Sequence, residues 1–184
     1  MMKVKSSVLL GLALFGVAVA QVVPITGAVY GPVKVKEVLP PGLVVLESGH
    51  RLVLGGLELP HWGDERYLQG QAKRRSYSLG TLRGRAQEAF ACVSTLNGQE
   101  VYLELEEVGG NYLAYLYTPQ LQSHELLLDR PLFSYAGQSP YLDNLGYIWV
   151  RQGCAWATPQ GKYASLFQEA QEKAKADGRG LWRP

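Results

Sequence analysis

At 184 residues, with 18 basic and 16 acidic side chains, the chain is long enough for one domain with a sizeable core and leaves little room for a second. Lys3 and Lys5 fall in a first stretch of twenty residues without an acid, so residues 21–184 carry 16 charges of each sign. A neutral domain is not built for strong, general attraction to polyphosphate. Only Cys92 and Cys154 are present, too few for a disulfide framework or a four-cysteine zinc site. An oxidising compartment permits one bridge between them, and two buried thiols are the alternative.

Residues 1–20 read as a secretory signal: Lys3 and Lys5 give a positive start, Val8 to Val19 an apolar run, and Ala18-Val19-Ala20 a small-residue cleavage site. The run is shorter than the roughly 20 residues a membrane-spanning helix needs. The expectation is an exported protein, periplasmic or extracellular, whose domain begins at Gln21 and has no further membrane span.

From Val22 to Leu59 the sequence is rich in Val and Leu, with turn signals at Pro40-Pro41-Gly42 and Glu47-Ser48-Gly49-His50. Three antiparallel strands are expected, at about Thr26 to Leu39, Leu43 to Leu46 and Arg51 to Leu57. Residues 66–87 hold Arg66, Lys73, Arg74, Arg75, Arg83 and Arg85 without an acid, and read as a long exposed basic loop. Ala86, Ala89, Phe90, Val93 and Leu96 then fall at helical spacing, which predicts a helix from Arg85 to Leu96.

Val101, Leu103 and Leu105 alternate with polar residues, and Gly109-Gly110 turns that strand into another at Asn111 to Tyr117. Residues 118–140 show no clear period and read as an insertion loop with room for one short strand. Ser139-Pro140 offers a helix start before Tyr141, Leu145, Ile148 and Trp149. The last helix is the clearest: Tyr163, Leu166, Phe167, Ala170 and Ala174 form one stripe, closed by Asp177-Gly178. The sum is an α+β fold, a five-stranded Greek-key barrel of the OB type with one helix between strands three and four and two C-terminal helices.

The segment VRQGCAWATPQGKYASLFQEAQEKAKADGRGLW, Val150 to Trp182, resembles the C-terminal signature of the staphylococcal nuclease family. Arg85 to Leu105, Leu113 to Tyr117 and Leu54 to Pro60 are similar to that family's first helix with its fourth strand, its fifth strand and its Leu-Ile-Gly-Ile-Asp-Ala-Pro stretch. The resemblance covers about residues 30–182, apart from the insertion. It implies the OB barrel, and cleavage of nucleic-acid phosphodiesters with a calcium ion held by carboxylates, two arginines on the phosphate and a glutamate after the proline.

Most of that machinery is replaced here. Leu39-Pro40-Pro41-Gly42 stands where the family has a carboxylate-bearing turn, Val53 and Asn111 stand at the arginine positions, and His61 stands at the glutamate position. Glu58 alone keeps its chemistry, as the one remaining metal ligand. The expected function is therefore a catalytically degenerate, exported nuclease-fold domain without a cofactor, serving as a binding or structural module of the cell envelope, with an envelope protein or single-stranded nucleic acid as partner. The alternative is a calcium-dependent nucleic-acid phosphodiesterase with a site rebuilt from Arg51, Glu58 and His61, Arg51 sharing the strand face of Val53.

Lys73, Arg74 and Arg75, interleaved with Tyr67 and Tyr77, suit single-stranded nucleic acid, against the reading of a solvated loop. His50, His61 and His124 have no metal-ligand spacing. Trp149, Trp156 and Trp182 are assigned to packing, and Trp62 either lines an open face or plugs it. The site counts as emptied only while no replacement cations converge on Glu58 from elsewhere in the fold.

Overall fold

The computed structural model describes residues 21–119, 130–136 and 141–184. The signal segment, His124 and the Ser139-Pro140 helix start lie outside the described residues. No helix among the described residues is long and apolar enough to cross a membrane.

In chain order the elements are β1 (Val22–Ile25), β2 (Val29–Leu39), β3 (Leu43–Leu46), β4 (Arg51–Leu54), β5 (Leu57–Glu58), α1 (Glu65–Arg74), α2 (Leu79–Ser94), β6 (Glu100–Val108) and β7 (Asn111–Pro119). They continue as β8 (Leu132–Tyr135), β9 (Leu142–Asn144), α3 (Leu145–Arg151), β10 (Trp156–Ala157) and α4 (Ala164–Ala176), with a closing 3-10 turn at Gly180–Trp182. Eight strands make one mostly antiparallel sheet, ordered β1-β8-β9-β7-β4-β3-β2-β6, in which β6 also pairs with β7. A separate two-stranded ribbon joins β5 to β10, with Glu58 opposite Trp156. The fold is α+β, as expected.

The β6–β7 hairpin forms where the alternation placed it, because Gly109 and Gly110 both adopt positive φ (58° and 82°), the backbone a tight hairpin turn requires. The third strand is shorter than the sequence suggested. It breaks at Gly55-Gly56, where a Cβ on Gly55 would lie 2.6 Å from the ring of Tyr115, and Leu57–Glu58 leaves the sheet to pair with β10. The first strand begins at Val29 instead of Thr26. Val22–Ile25 forms a strand that was not anticipated, pairing in parallel with β8 inside the insertion. Neither short segment had a local signal, since each is stabilised by the other.

The largest correction concerns residues 66–87. They are two helices in place of an exposed basic loop, and the helix expected to start at Arg85 starts at Leu79. The Asp64 carboxylate accepts from the N–H groups of Arg66 and Tyr67, and the Ser78 hydroxyl from that of Thr81, each capping a helix start. Only Leu68, Gln71 and Ala72 of α1 are buried, so its apolar stripe is too narrow to register as a period. Leu68 and Ala72 dock with Leu82, Ala86, Trp156 and Leu181 in a second, smaller core beside the main one. Downstream, α3 begins at Leu145, where Asn144 accepts from the Tyr147 N–H, because Leu142–Asn144 is occupied as a strand against β7 and β8.

Two devices fasten these layers. Cys92 of α2 and Cys154 after α3 form a disulfide with Cα atoms 6.3 Å apart. Glu104 of β6, fully buried, accepts from the Gly27 N–H (2.8 Å), the Tyr117 hydroxyl (2.7 Å) and the Tyr163 hydroxyl (3.0 Å), and pairs with the Lys162 ammonium. The neighbouring Glu106 accepts from the Tyr115 hydroxyl (2.5 Å) and the Lys162 N–H (2.9 Å). One lysine and two carboxylates thereby tie the N-terminal segment, the hairpin and the approach to α4.

A candidate anion-binding cleft at Glu58

The break after β4 turns Glu58 out of the main sheet, and the following Pro60–Asp64 segment leads into α1, which folds back over it. From α1, Gln71 and Arg74 sit one turn apart on the same side, and Arg75 follows at the helix end. Gln71 is buried and fully engaged: its amide N–H donates to Glu58 Oε1 (2.8 Å) and to the Leu59 carbonyl (3.0 Å), while its Oε1 accepts from the His61 N–H (2.8 Å). The Arg75 guanidinium donates to Glu58 Oε2 at 2.5 Å and lies 4.0 Å from the centroid of Trp156, which shields it on one face. Arg74 reaches Glu58 Oε1 at 3.3 Å, with 63% of its side chain exposed.

Burial alone would raise the Glu58 carboxyl. The hydrogen bonds from Gln71 and Arg75, with the charges of Arg75 and Arg74, outweigh it and hold the group below the usual carboxylate range. It is therefore an ionised acceptor at neutral pH, with both oxygens occupied by cationic or amide donors. Two guanidiniums against one carboxylate leave one positive charge in excess.

Beside this cluster lies a cavity of about 430 Å³ lined by Pro41, Glu58, His61, Tyr67, Gln71 and Arg74. The His61 ring stacks on that of Tyr67, centroids 5.0 Å apart and planes at 16°, and its buried Nδ1, like Arg75 Nε, has no hydrogen-bond partner among the described residues. A buried polar atom in that condition costs about 1–3 kcal/mol.

No family model matches the chain, and no curated protein is similar to it.

The structure brings together Glu58, His61, Arg74 and Arg75 out of the candidate residues. Arg51 is exposed on β4 opposite Val45 and is not among the partners of Glu58. Lys73, Arg74 and Arg75 are not one patch: Lys73 is exposed on the helix, Arg74 sits at the rim of the cavity and Arg75 is turned inward. The rest of the basic stretch is largely engaged too, Arg83 with Glu65, and Arg85 with the carbonyls of Leu181 and Arg183. Trp149 and Trp156 are buried, Trp182 packs on the smaller core, and half-buried Trp62 packs against both cores with Phe90 at 5.3 Å while also lining a cavity beside His61.

Among the described residues no three His, Cys, Asp or Glu side chains converge as metal ligands. A divalent ion at Glu58 would meet two guanidiniums at short range, so this donor set does not fit calcium. Sequence reasoning missed Gln71 and the cavity role of Tyr67. The signal was available at Tyr67, Gln71 and Arg74, spaced i, i+4 and i+7, but it has meaning only once the segment is known to be helical.

Proposed function

We propose that this chain is an exported, divergent member of the staphylococcal nuclease-like OB-barrel class that binds an anionic ligand at the Glu58 cleft and does not hydrolyse phosphodiesters with calcium. The double pairing of β6 with β2 and β7 supports a barrel arrangement, and the Val150–Trp182 signature supports the family. The observation that carries the functional reading is the state of Glu58. The one carboxylate left from the expected metal site is already neutralised by Arg74 and Arg75 and accepts a hydrogen bond from Gln71. The module then acts in the cell envelope or outside it as a binding or structural component.

Arg74 and Arg75 converge on Glu58 from the end of α1, so the expectation of a pocket emptied of cations does not hold; this favours a second reading, a phosphodiesterase with a rearranged centre of Glu58, His61 and Arg74, without Arg51. Against it, Arg75 is turned inward onto Glu58, which leaves Arg74 as the cation of the pair with donors to spare for a phosphorane, and loss of one such contact commonly costs about 10²-fold in rate. A carboxylate held this acidic is also a weak general base.

Purified residues 21–184 incubated with single-stranded DNA and RNA, with calcium and with a chelator, separate the readings. The expected result is no turnover in either condition and no calcium heat at millimolar metal. Robust cleavage that Glu58→Ala abolishes would sink the binding reading.

A further inference from the structure

The cleft has more donors and more ring surface than its internal contacts use. Arg74 makes a single long contact to Glu58 and is mostly exposed, so most of its five N–H donors remain available in a planar fork that matches a phosphate or carboxylate. Tyr67, 65% exposed and two helical turns from Arg74 on the same face, presents its ring on top of His61 as a platform open to solvent.

We infer that the cavity of Pro41, His61, Tyr67 and Arg74 is a binding site for a small molecule consisting of a planar ring and one oxyanion group, phosphate or carboxylate. This rests on the binding reading above and names its ligand class. About 430 Å³ is the size of a small-molecule site and far exceeds what a bare ion fills. The anion pairs with the Arg74 fork, where the excess charge of the cleft lies, and the ring extends the His61–Tyr67 stack over the apolar surface of Pro41. A polyanion is disfavoured by the neutral balance of residues 21–184 and by the internal engagement of Arg75, Arg83 and Arg85.

Calorimetric titration of residues 21–184 at low ionic strength tests this with four probes: adenosine monophosphate, 4-hydroxybenzoate, adenosine and inorganic phosphate. At least one of the two ring-bearing anions is expected to bind about tenfold or more tightly than both adenosine and inorganic phosphate, and the one that does identifies the oxyanion. Arg74→Gln and Tyr67→Ala, both at exposed side chains and so expected to melt like the parent, each weaken that binding by about fivefold to tenfold. Equal affinity for all four probes, binding of none at millimolar concentration, or binding untouched by both variants overturns the inference. Such a failure without any metal-dependent cleavage leaves the binding reading standing, whereas cleavage lost in Glu58→Ala removes that reading whatever the probes do.

Discussion

Two carboxylates in this protein have similar partners and opposite roles. Glu104 and Glu58 each accept from neutral donors and pair with cations, yet Glu104 is sealed in the core while Glu58 borders an open cavity. Around Glu104 the donors are matched one to one: Gly27, Tyr117, Tyr163 and Lys162 converge on it, and Tyr115 with the Lys162 backbone closes on Glu106. Around Glu58 there is a surplus, an under-used Arg74 and unpartnered atoms on His61 and Arg75. Pairing alone therefore does not single out a candidate site; surplus donors beside an opening are what distinguish Glu58 from Glu104.

The widest test of that contrast is Glu104→Ala. It removes the buried ion-pair partner of Lys162 and the acceptor of the Gly27 N–H, and leaves the Tyr117 and Tyr163 hydroxyls with only each other, so a loss of about 3–5 kcal/mol is expected in urea unfolding. A loss below about 1 kcal/mol would show that the centre does not fasten the fold. Next comes the disulfide: opening it in Cys92→Ser/Cys154→Ser releases a 62-residue separation, which chain-entropy bookkeeping values at about 4 kcal/mol as an upper figure. Hydrogen exchange should then rise first in α1 and α2, beside the Glu58 cleft, and last around Glu104. The reverse order would break the comparison.

Alkaline titration sharpens it further. Burial, reinforced by the carboxylates of Glu104 and Glu106, pushes the phenols of Tyr115, Tyr117 and Tyr163 above their usual value near 10. Because the folded values are raised, their stabilisation is complete below about pH 10 and is lost as pH rises beyond it. Absorbance at about 295 nm should show these three ionising only together with unfolding. The smallest effect belongs to the open site. Glu58→Gln is expected to cost about 1–2 kcal/mol at neutral pH, given a paired but partly exposed carboxylate. Its folded value is lowered, so its contribution is present above about pH 4.5 and disappears as pH falls through that lowered value. Melting temperature of the parent should drop over that acid window more steeply than that of the variant.

Legibility of the sequence followed the width of the buried stripe. The final helix and the β6–β7 hairpin were readable because Phe167, Ala170 and Ala174, or Val101 and Leu103, repeat at the period of their element. Helix α1 was not, because two apolar residues and a glutamine suffice to dock it while its outer face carries Arg66 and Lys73. Of the candidate site, Glu58 and His61 were visible by their place after β4, and Arg74 and Arg75 by charge, but the residues linking them were not. Arg51 was included on strand alternation alone, which fixes a face and says nothing about distance along the sheet.

The linear sequence by itself determined the α+β class, the neutral charge of residues 21–184, the presence of just two cysteines with their pairing left open, the hairpin and the last helix, since periodicity, turn chemistry and composition are local properties. Only the tertiary structure decided that a basic stretch is two helices, that β1 pairs with a strand more than a hundred residues later, and that Arg74, Arg75 and Gln71 meet at Glu58. Those outcomes depend on which buried faces find each other across the chain, and no local period records the partner that satisfies a charge.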